Sequence, residues 1–459
     1  MMARRLGWAL GHPWLLALAA IVVLAAAVRL WWVSYAQTEP VWPYDPWTYN
    51  RLAVSLAHGG GFVHENGDPT ACCPPGYPGI LAAVYWVVGD RPLAAELLNV
   101  AAGALSVALL YFIASSLFGR ATGLVAALAL AVFPSHILYT SQLHTEVVFT
   151  ALLLGALCLL LLAGGGGRRP WVLLGLAGLV LGAATLVRPV ALPLVAVAPL
   201  ALRMSGASWG RCLRGGALVA VFALALVAPW VARNAVRVGV PAISTNVGIN
   251  FWIGNHPDAS GAFVMPPAYL FPRVSDFLTE QERQDYSRGL ELGWRYLREE
   301  PLEALALLPL KLQKLYTDDA EAVTTAENWG DTAFLSEGGR RTLRLLTDGF
   351  YWFVAAGAVA SLPRSGRRGW RTFALCFFAV WTATHLLFFT EARFHVPVTP
   401  LMAAMAAAGW LGVASVSRPY ALMRAWLPRH ADVARGTASQ ETTVMVHQLD
   451  HDPPPSSSR

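Results

Sequence analysis

The chain has 459 residues, of which 56% are hydrophobic and only 14% charged, with a mean hydropathy of +0.47 and a net charge of +6. A soluble domain carries roughly 25% charged residues, and runs such as LLALAAIVVLAAAV and VAALALAVF cannot face water. A string of soluble domains is therefore excluded, and the composition describes an all-α polytopic membrane protein. The basic residues are almost all arginine, with Lys311 and Lys314 the only lysines. Their clustering at the ends of apolar runs reads as a topology signal and not as a nucleic-acid surface. Cys72, Cys73, Cys158, Cys212 and Cys376 show neither a disulfide framework nor metal-type spacing.

Stretches apolar and long enough to cross a hydrocarbon core of roughly 30 Å occur near 13–36, 92–117, 121–141, 146–163, 171–187, 189–203, 215–233, 344–362, 372–390 and 397–416. That predicts about ten transmembrane helices, with 171–203 counted as two short spans hinged at Arg188-Pro189, where proline ends or kinks a helix. Arg4 and Arg5 precede a first run of about 20 apolar residues with no A-x-A cleavage site, which reads as a retained span. Residues 78–89 are too short to cross and follow a Pro-Gly turn, so a partly inserted helix is expected there. Placing the N-terminus inside puts Arg4/Arg5, Arg120, Arg168/Arg169, Arg203/Arg211/Arg214, Arg364/Arg367/Arg368/Arg371 and Arg418/Arg424 on one side, as the positive-inside rule asks.

This topology leaves two long segments outside, 37–77 and 234–343. The first is rich in Trp, Pro, Gly and acid. The second opens on the polar STNVGINFWIGNHPDASGAF and becomes helical from about 276 to 316. There PLEALALLPLKLQKLY sets apolar residues at helical spacing beside Lys311 and Lys314, the pattern of a helix lying in the interface. Residues 1–416 read as one transmembrane domain and 417–459 as a polar, largely disordered cytoplasmic tail.

Span interiors are almost bare of ionisable groups, which gather at the outer ends: Arg29, Asp45, His144, Glu146, Arg188, Arg233, His385, Glu391, Arg393 and His395. Transporters place such groups near the midplane. Acids and arginines beneath large outer loops suit an enzyme working on a lipid-linked, anionic substrate. A carboxylate can take a proton from an attacking hydroxyl, while arginines stabilise charge on a departing phosphate. Two alternatives share some of these features: an oligosaccharide ligase or polymerase with a diphosphate-linked carrier, and a lipid-linked sugar transporter. Arg29, inside the first span, is expected to form an intramembrane ion pair.

The marks also come in a recognisable order: Asp45-Pro-Trp-Thr-Tyr, then PPGYP at 74–78, LHTE at 143–146, LVRP at 186–189, PWVARN at 229–234 running into STNVGINFWIGN at 244–255, and EARFHVPVTP at 391–400. Over residues 13–416 this resembles bacterial glycosyltransferases related to protein O-mannosyltransferases and to the aminoarabinose transferase that modifies lipid A, which share the architecture called GT-C. The resemblance implies a multi-span helical fold whose two large extracytoplasmic loops contain interfacial helices. It implies a bacterial inner-membrane enzyme, with both termini cytoplasmic, that transfers a sugar with inversion. The donor would be a polyprenyl-phosphate sugar, and the acceptor a hydroxyl on a glycolipid, envelope glycan or protein. Membrane lipids are the other expected partners, nucleic acid is not one, and a divalent metal is neither required nor excluded.

By the same resemblance Asp45 falls on the family's catalytic base, although Asp45-Pro46 also fits a helix cap followed by proline. Glu146 falls on the second acid, at a helix start whose dipole would favour it in any case. Arg393, in the E-x-R-F segment, is placed to grip carrier phosphate or to snorkel to headgroups. Arg188 and Arg233 are weaker candidates for phosphate and His144 for substrate. Asn246, Asn250 and Asn255 could hydrogen-bond sugar hydroxyls or simply form turns. One departure stands out: relatives commonly carry a basic residue just before PPGYP, where this chain has Cys73 beside Cys72, both read as free thiols.

Overall fold

A computed structural model describes residues 13–165, 169–265, 279–363 and 368–412. In chain order the helices are α1 (Pro13–Tyr35), α2 (Asp45–Ala57), α3 (Gly76–Val88), α4 (Pro92–Phe118), α5 (Arg120–Ala131), α6 (Pro134–Leu138), α7 (Thr145–Gly164) and α8 (Pro170–Val187). A 3₁₀ stretch at Pro189–Val197 leads into α9 (Ala198–Arg203), followed by α10 (Trp209–Arg237), α11 (Asn246–Gly254), α12 (Thr279–Glu299), α13 (Pro301–Tyr316), α14 (Glu321–Asn328), α15 (Glu337–Ser361) and α16 (Arg368–Leu386). A second 3₁₀ strap at Ala392–Val398 precedes α17 (Thr399–Trp410). No strand longer than an isolated bridge occurs among the described residues. The expected tail at 417–459, and the terminal arginines used to orient the chain, lie outside the described residues.

Five helices, α1, α4, α7, α8 and α10, are long and apolar enough to cross a membrane. A sixth forms if α5 and the segment Pro134–Ser141, bent by 56° to each other, count as one broken span. The chain is thus a multi-pass membrane protein. The remaining four of the ten expected spans are helical too, but fall short on length or charge. Pro193 keeps 189–197 in 3₁₀ geometry, and α15 begins with Glu337, Arg340, Arg341, Arg344 and Asp348. α16 has 19 residues beginning RGWR, and α17 has only 12. α3, as expected, is a short apolar helix after the Pro-Gly turn.

The packing follows from small residues. Gly178 and Gly182 of α8 lie against Val219 and Ala223 of α10, where an added Cβ would come within 2.6 and 2.8 Å of their carbonyl oxygens. Helices without a hydrophobic driving force between them associate through such close seams. In the outer part, Gly248 of α11 and Gly289 of α12 press backbone to backbone, a Cβ on Gly289 meeting the Gly248 carbonyl at 2.3 Å. That contact fixes α11 against α12. Val23, Trp86 and Val221 stay exposed, as a hydrocarbon-facing surface permits.

Two basic residues depart from expectation. Arg29 is buried, but its guanidinium donates to the carbonyls of Ala25, Leu130 and Ala131 at 3.0–3.2 Å instead of forming an ion pair. The end of α5 breaks at Phe133-Pro134 and presents carbonyls that attract a cation. Lys311 turns inward instead of snorkelling: it is 1% exposed, and its ammonium donates to Asn255 Oδ1 and the Leu386 carbonyl, both at 3.0 Å. Burial pushes its pKa down to about 8.

Candidate active site

Two acid–arginine corners meet on one cavity. The first is built at the start of α2. Tyr44 is extended and Pro46 occupies the first turn, but the helix has no side-chain cap bond. Asp45 is therefore free of the capping role its sequence suggested. Its carboxylate instead accepts a hydrogen bond at 3.2 Å from Arg393, 348 residues away. Arg393 sits on the 3₁₀ strap, where it also donates from Nε to Glu391 at 2.7 Å and from its backbone N–H to Glu321 at 2.9 Å. The strap is anchored two residues on by His395, which is buried between the Leu315 carbonyl at 2.7 Å and Asp319 at 3.1 Å.

Burial works against the Arg393 charge, but Glu391, Asp45, Glu146 and Glu321 outweigh it and raise its pKa. Burial, with Glu391 adding to it, pushes Glu321 up to about 7 despite the pull of Arg393.

The second corner is built at the start of α7. His144 is extended, Thr145 opens the helix, and Glu146 falls in its first turn. Glu146 lies 2.9 Å from Arg188 and 3.3 Å from His144, and Thr145 donates to it at 3.4 Å. Arg188 ends α8 in an extended conformation, which the following proline favours. Its guanidinium lies 5.2 Å from the Phe394 ring centre. Trp329 joins the corners: it stacks on His144 (4.6 Å) and on Tyr44 (5.5 Å), and Arg393 lies 4.9 Å over its ring.

The cavity between these corners has a volume of about 730 Å³, within the range of small-molecule sites. Asp45, Thr145, Glu146, Arg188, Asn246, Asn250, His385 and Arg393 contribute polar groups to its wall, and Phe263, Leu192, Phe388 and Phe389 contribute apolar surface. Of the candidates singled out in the sequence, Asp45, Glu146, Arg188, Arg393, Asn246 and Asn250 are brought together here. Arg233, Asn255 and His144 sit behind the wall. Arg233 donates to the Thr70 and Phe62 carbonyls and to Asn234. Asn255 is spent on the Phe251 and Leu387 carbonyls and on Lys311. His144 is 1% exposed behind Glu146.

Other residues of the site carried no motif. Glu321 and Trp329 lie in the second outer segment and reach the corners only through the tertiary fold. Arg51 and His64 line the cavity from the first, and Arg51 did carry a signal, as the only Lys or Arg within 37–77. Cys72 and Cys73 line the same wall as free thiols. His64 approaches Glu282 of α12 at 2.6 Å. Glu282 also accepts from the Thr70 hydroxyl, from the Ala71 N–H at 3.0 Å and from Thr245 at 3.0 Å. Burial alone would raise the Glu282 pKa, but these bonds hold it below the ordinary glutamate value. Among the described residues no group of three or more His, Cys, Asp or Glu is arranged to hold a metal ion.

Residues 73–232 match the family model described as dolichyl-phosphate-mannose-protein mannosyltransferase. The resemblance to glycosyltransferases read from the short motifs is thereby borne out over that stretch. No curated protein sequence matches the chain. Among solved structures, the chain is similar to the archaeal oligosaccharyltransferase AglB from Archaeoglobus fulgidus, in complex with an inhibitory peptide and a dolichol-phosphate. Identity is 15%, 85% of this chain and 50% of that chain are covered, and the TM-score is 0.47. It is also similar to ArnT from Cupriavidus metallidurans bound to undecaprenyl phosphate, with 16% identity, 87% and 78% coverage and a TM-score of 0.43. The chain spans about half the length of the archaeal structures it matches.

Proposed function

We propose that this chain transfers a sugar from a polyprenyl-phosphate donor to a hydroxyl acceptor at the outer face of a bacterial inner membrane, with inversion. The observation that carries the reading is Asp45: a half-exposed carboxylate on the wall of a partly apolar cavity, held by an arginine that is itself buried among acids. An acceptor hydroxyl is a poor nucleophile at neutral pH. As its oxygen bonds to the anomeric carbon, its proton passes to Asp45. The carbon–oxygen bond to the phosphate breaks on the opposite face of the sugar, and its electron pair stays on the phosphate oxygen. General base catalysis of this kind is worth roughly 10²–10⁴-fold.

Arg393 fixes the orientation of the base. Glu146 and Arg188 form a buried pair that builds another part of the cavity wall, and Asn250 offers that cavity an amide for sugar hydroxyls. On this reading residues 1–416 form the transferase unit and 417–459 a cytoplasmic tail, with the N-terminus inside and both long segments outside.

The test is chemical. Purified protein given radiolabelled polyprenyl-phosphate sugar and an extract of envelope acceptors should release polyprenyl phosphate one-for-one with glycosylated product. Release of a diphosphate carrier, or movement of intact donor across a vesicle membrane without cleavage, would replace the proposal with one of the alternatives.

A further inference from the structure

Most cations on the cavity wall are already engaged. Arg188 faces Glu146, Arg393 faces Asp45, Glu321 and Glu391, and His64 faces Glu282. These two arginines are thus met by four carboxylates, and a phosphate brought to that side would meet like charge. Arg51 is different. Among the described residues it is the cavity-lining arginine with no carboxylate in ion-pair range. Its Nη1 donates to the Val63 carbonyl at 2.9 Å, its guanidinium lies 5.5 Å from the Trp47 ring centre, and its Nε is buried without a hydrogen-bond partner. A guanidinium has five N–H donors in a fixed fork that matches phosphate oxygens; with Nη1 on Val63 and Nε buried, Nη2 is the arm that has no hydrogen bond among the described residues and is left for an acceptor in the cavity.

Resting on the transferase reading above, we propose that Arg51 is the residue that binds the phosphate of the lipid-linked donor. Its position on the chain fits the geometry of the displacement. Asp45 and Arg51 lie on the same helix, six residues apart, which is about 9 Å along its axis and about 120° around it, and both reach the cavity wall. Base, acceptor oxygen, anomeric carbon, leaving phosphate oxygen and phosphate clamp are separated in turn by a hydrogen bond, a near-attack gap, the breaking carbon–oxygen bond and a second hydrogen bond, together about 10 Å. One rigid helix can therefore hold the proton acceptor at one end of the reacting line and the leaving group near the other. Cys73, on the same wall, brings no charge that would compete for this role.

The experiment compares undecaprenyl phosphate with undecaprenol, both binding to the full-length protein in detergent and read by ligand-induced shifts in melting temperature over a concentration series. The wild type should prefer the phosphate. Arg51→Ala should lose that preference, with affinity for the phosphate falling roughly 10- to 100-fold, what a charge-assisted hydrogen bond converts to, and affinity for the alcohol unchanged. Arg51→Lys should recover part of the loss, because a point charge replaces the fork. If Arg51→Ala does not fold, Arg51→Gln keeps a donor for Val63 without the charge and makes the same comparison. Unchanged phosphate affinity in a folded Arg51→Ala or Arg51→Gln overturns the assignment, as does an equal loss for phosphate and alcohol, which is the mark of a structural role. A wild type that cannot tell phosphate from alcohol overturns the carrier reading itself, whatever the variants do.

Discussion

Asp45 and Glu146 line the same cavity, each beside an arginine, yet their surroundings differ. Glu146 is 1% exposed and divides its oxygens among Arg188, His144 and Thr145. Asp45 is 46% exposed, and Arg393 is its one ion-pair partner among the described residues. A carboxylate that is buried and matched on several sides is an anchor, since losing it strands the charges around it. A carboxylate that is oriented by one partner and still open to the cavity can take a proton from a ligand. The contrast separates a wall-builder from a base in a way that their similar placement at helix starts does not.

The largest effect expected of this contrast is on turnover. Asp45→Asn keeps shape and removes the base, so transfer should slow roughly 10²–10⁴-fold. Because no cap bond at α2 is lost, the melting temperature should stay the same. Turnover per molecule in detergent, measured beside a melting curve, checks both halves. A folded Asn variant with normal turnover would make Asp45 a second anchor.

Next comes Glu146→Gln, which leaves Arg188 largely buried without its carboxylate. Removing one partner of such a pair costs about 3–5 kcal/mol, seen as a lower melting temperature and less protein in the membrane. Pairing it with Arg188→Met should restore much of the loss. Normal melting combined with lost turnover would move Glu146 into the chemistry.

The smallest effect is a slope. The Glu321 carboxyl is pushed up to about 7 from an ordinary value of 4.5. Between those two values the folded protein keeps a proton that the unfolded chain has released, so this group makes stability fall as pH rises through the window. Melting temperatures taken from pH 5 to 8 should decline less steeply in Glu321→Gln than in the wild type. Parallel curves would mean that Arg393 keeps Glu321 ionised throughout.

Apolar run length and proline placement made the span pattern legible, and motif order pointed to Asp45, Glu146, Arg188, Arg393 and Asn250, which share a wall. Partner choice was not legible. Arg233 and Arg393 look alike in sequence, each near a span end with an aromatic within three residues. One spends its donors on the Thr70 and Phe62 carbonyls and the other on Asp45 and Glu391. Which occurs depends on what the fold brings across, and Glu321 and Trp329 come from a segment with no local pattern. Lys311 and Lys314 show the same limit within one helix: helical spacing marked both as interfacial, but α13 turns Lys311 inward to Asn255 and the Leu386 carbonyl. Charge patterning tells which residues sit at a boundary; it does not tell which of them find a partner behind it.

The two outer segments are fastened at two separate places. At one, Glu282 gathers His64, Thr70, Ala71 and Thr245. At the other, Glu39 and Asp331 exchange hydrogen bonds of 3.0 Å beside the Pro40–Gly330 bridge, while Tyr44 stacks on Trp329. Segments held at one point can hinge apart; segments held at two share a single opening equilibrium. The roof of the cavity is therefore one cooperative unit assembled from sequence positions some 200 to 300 residues apart. Backbone amides at Ala71 and Thr245 near the first fastening, and at Glu39 and Asp331 in the second, should then exchange with solvent at matched rates.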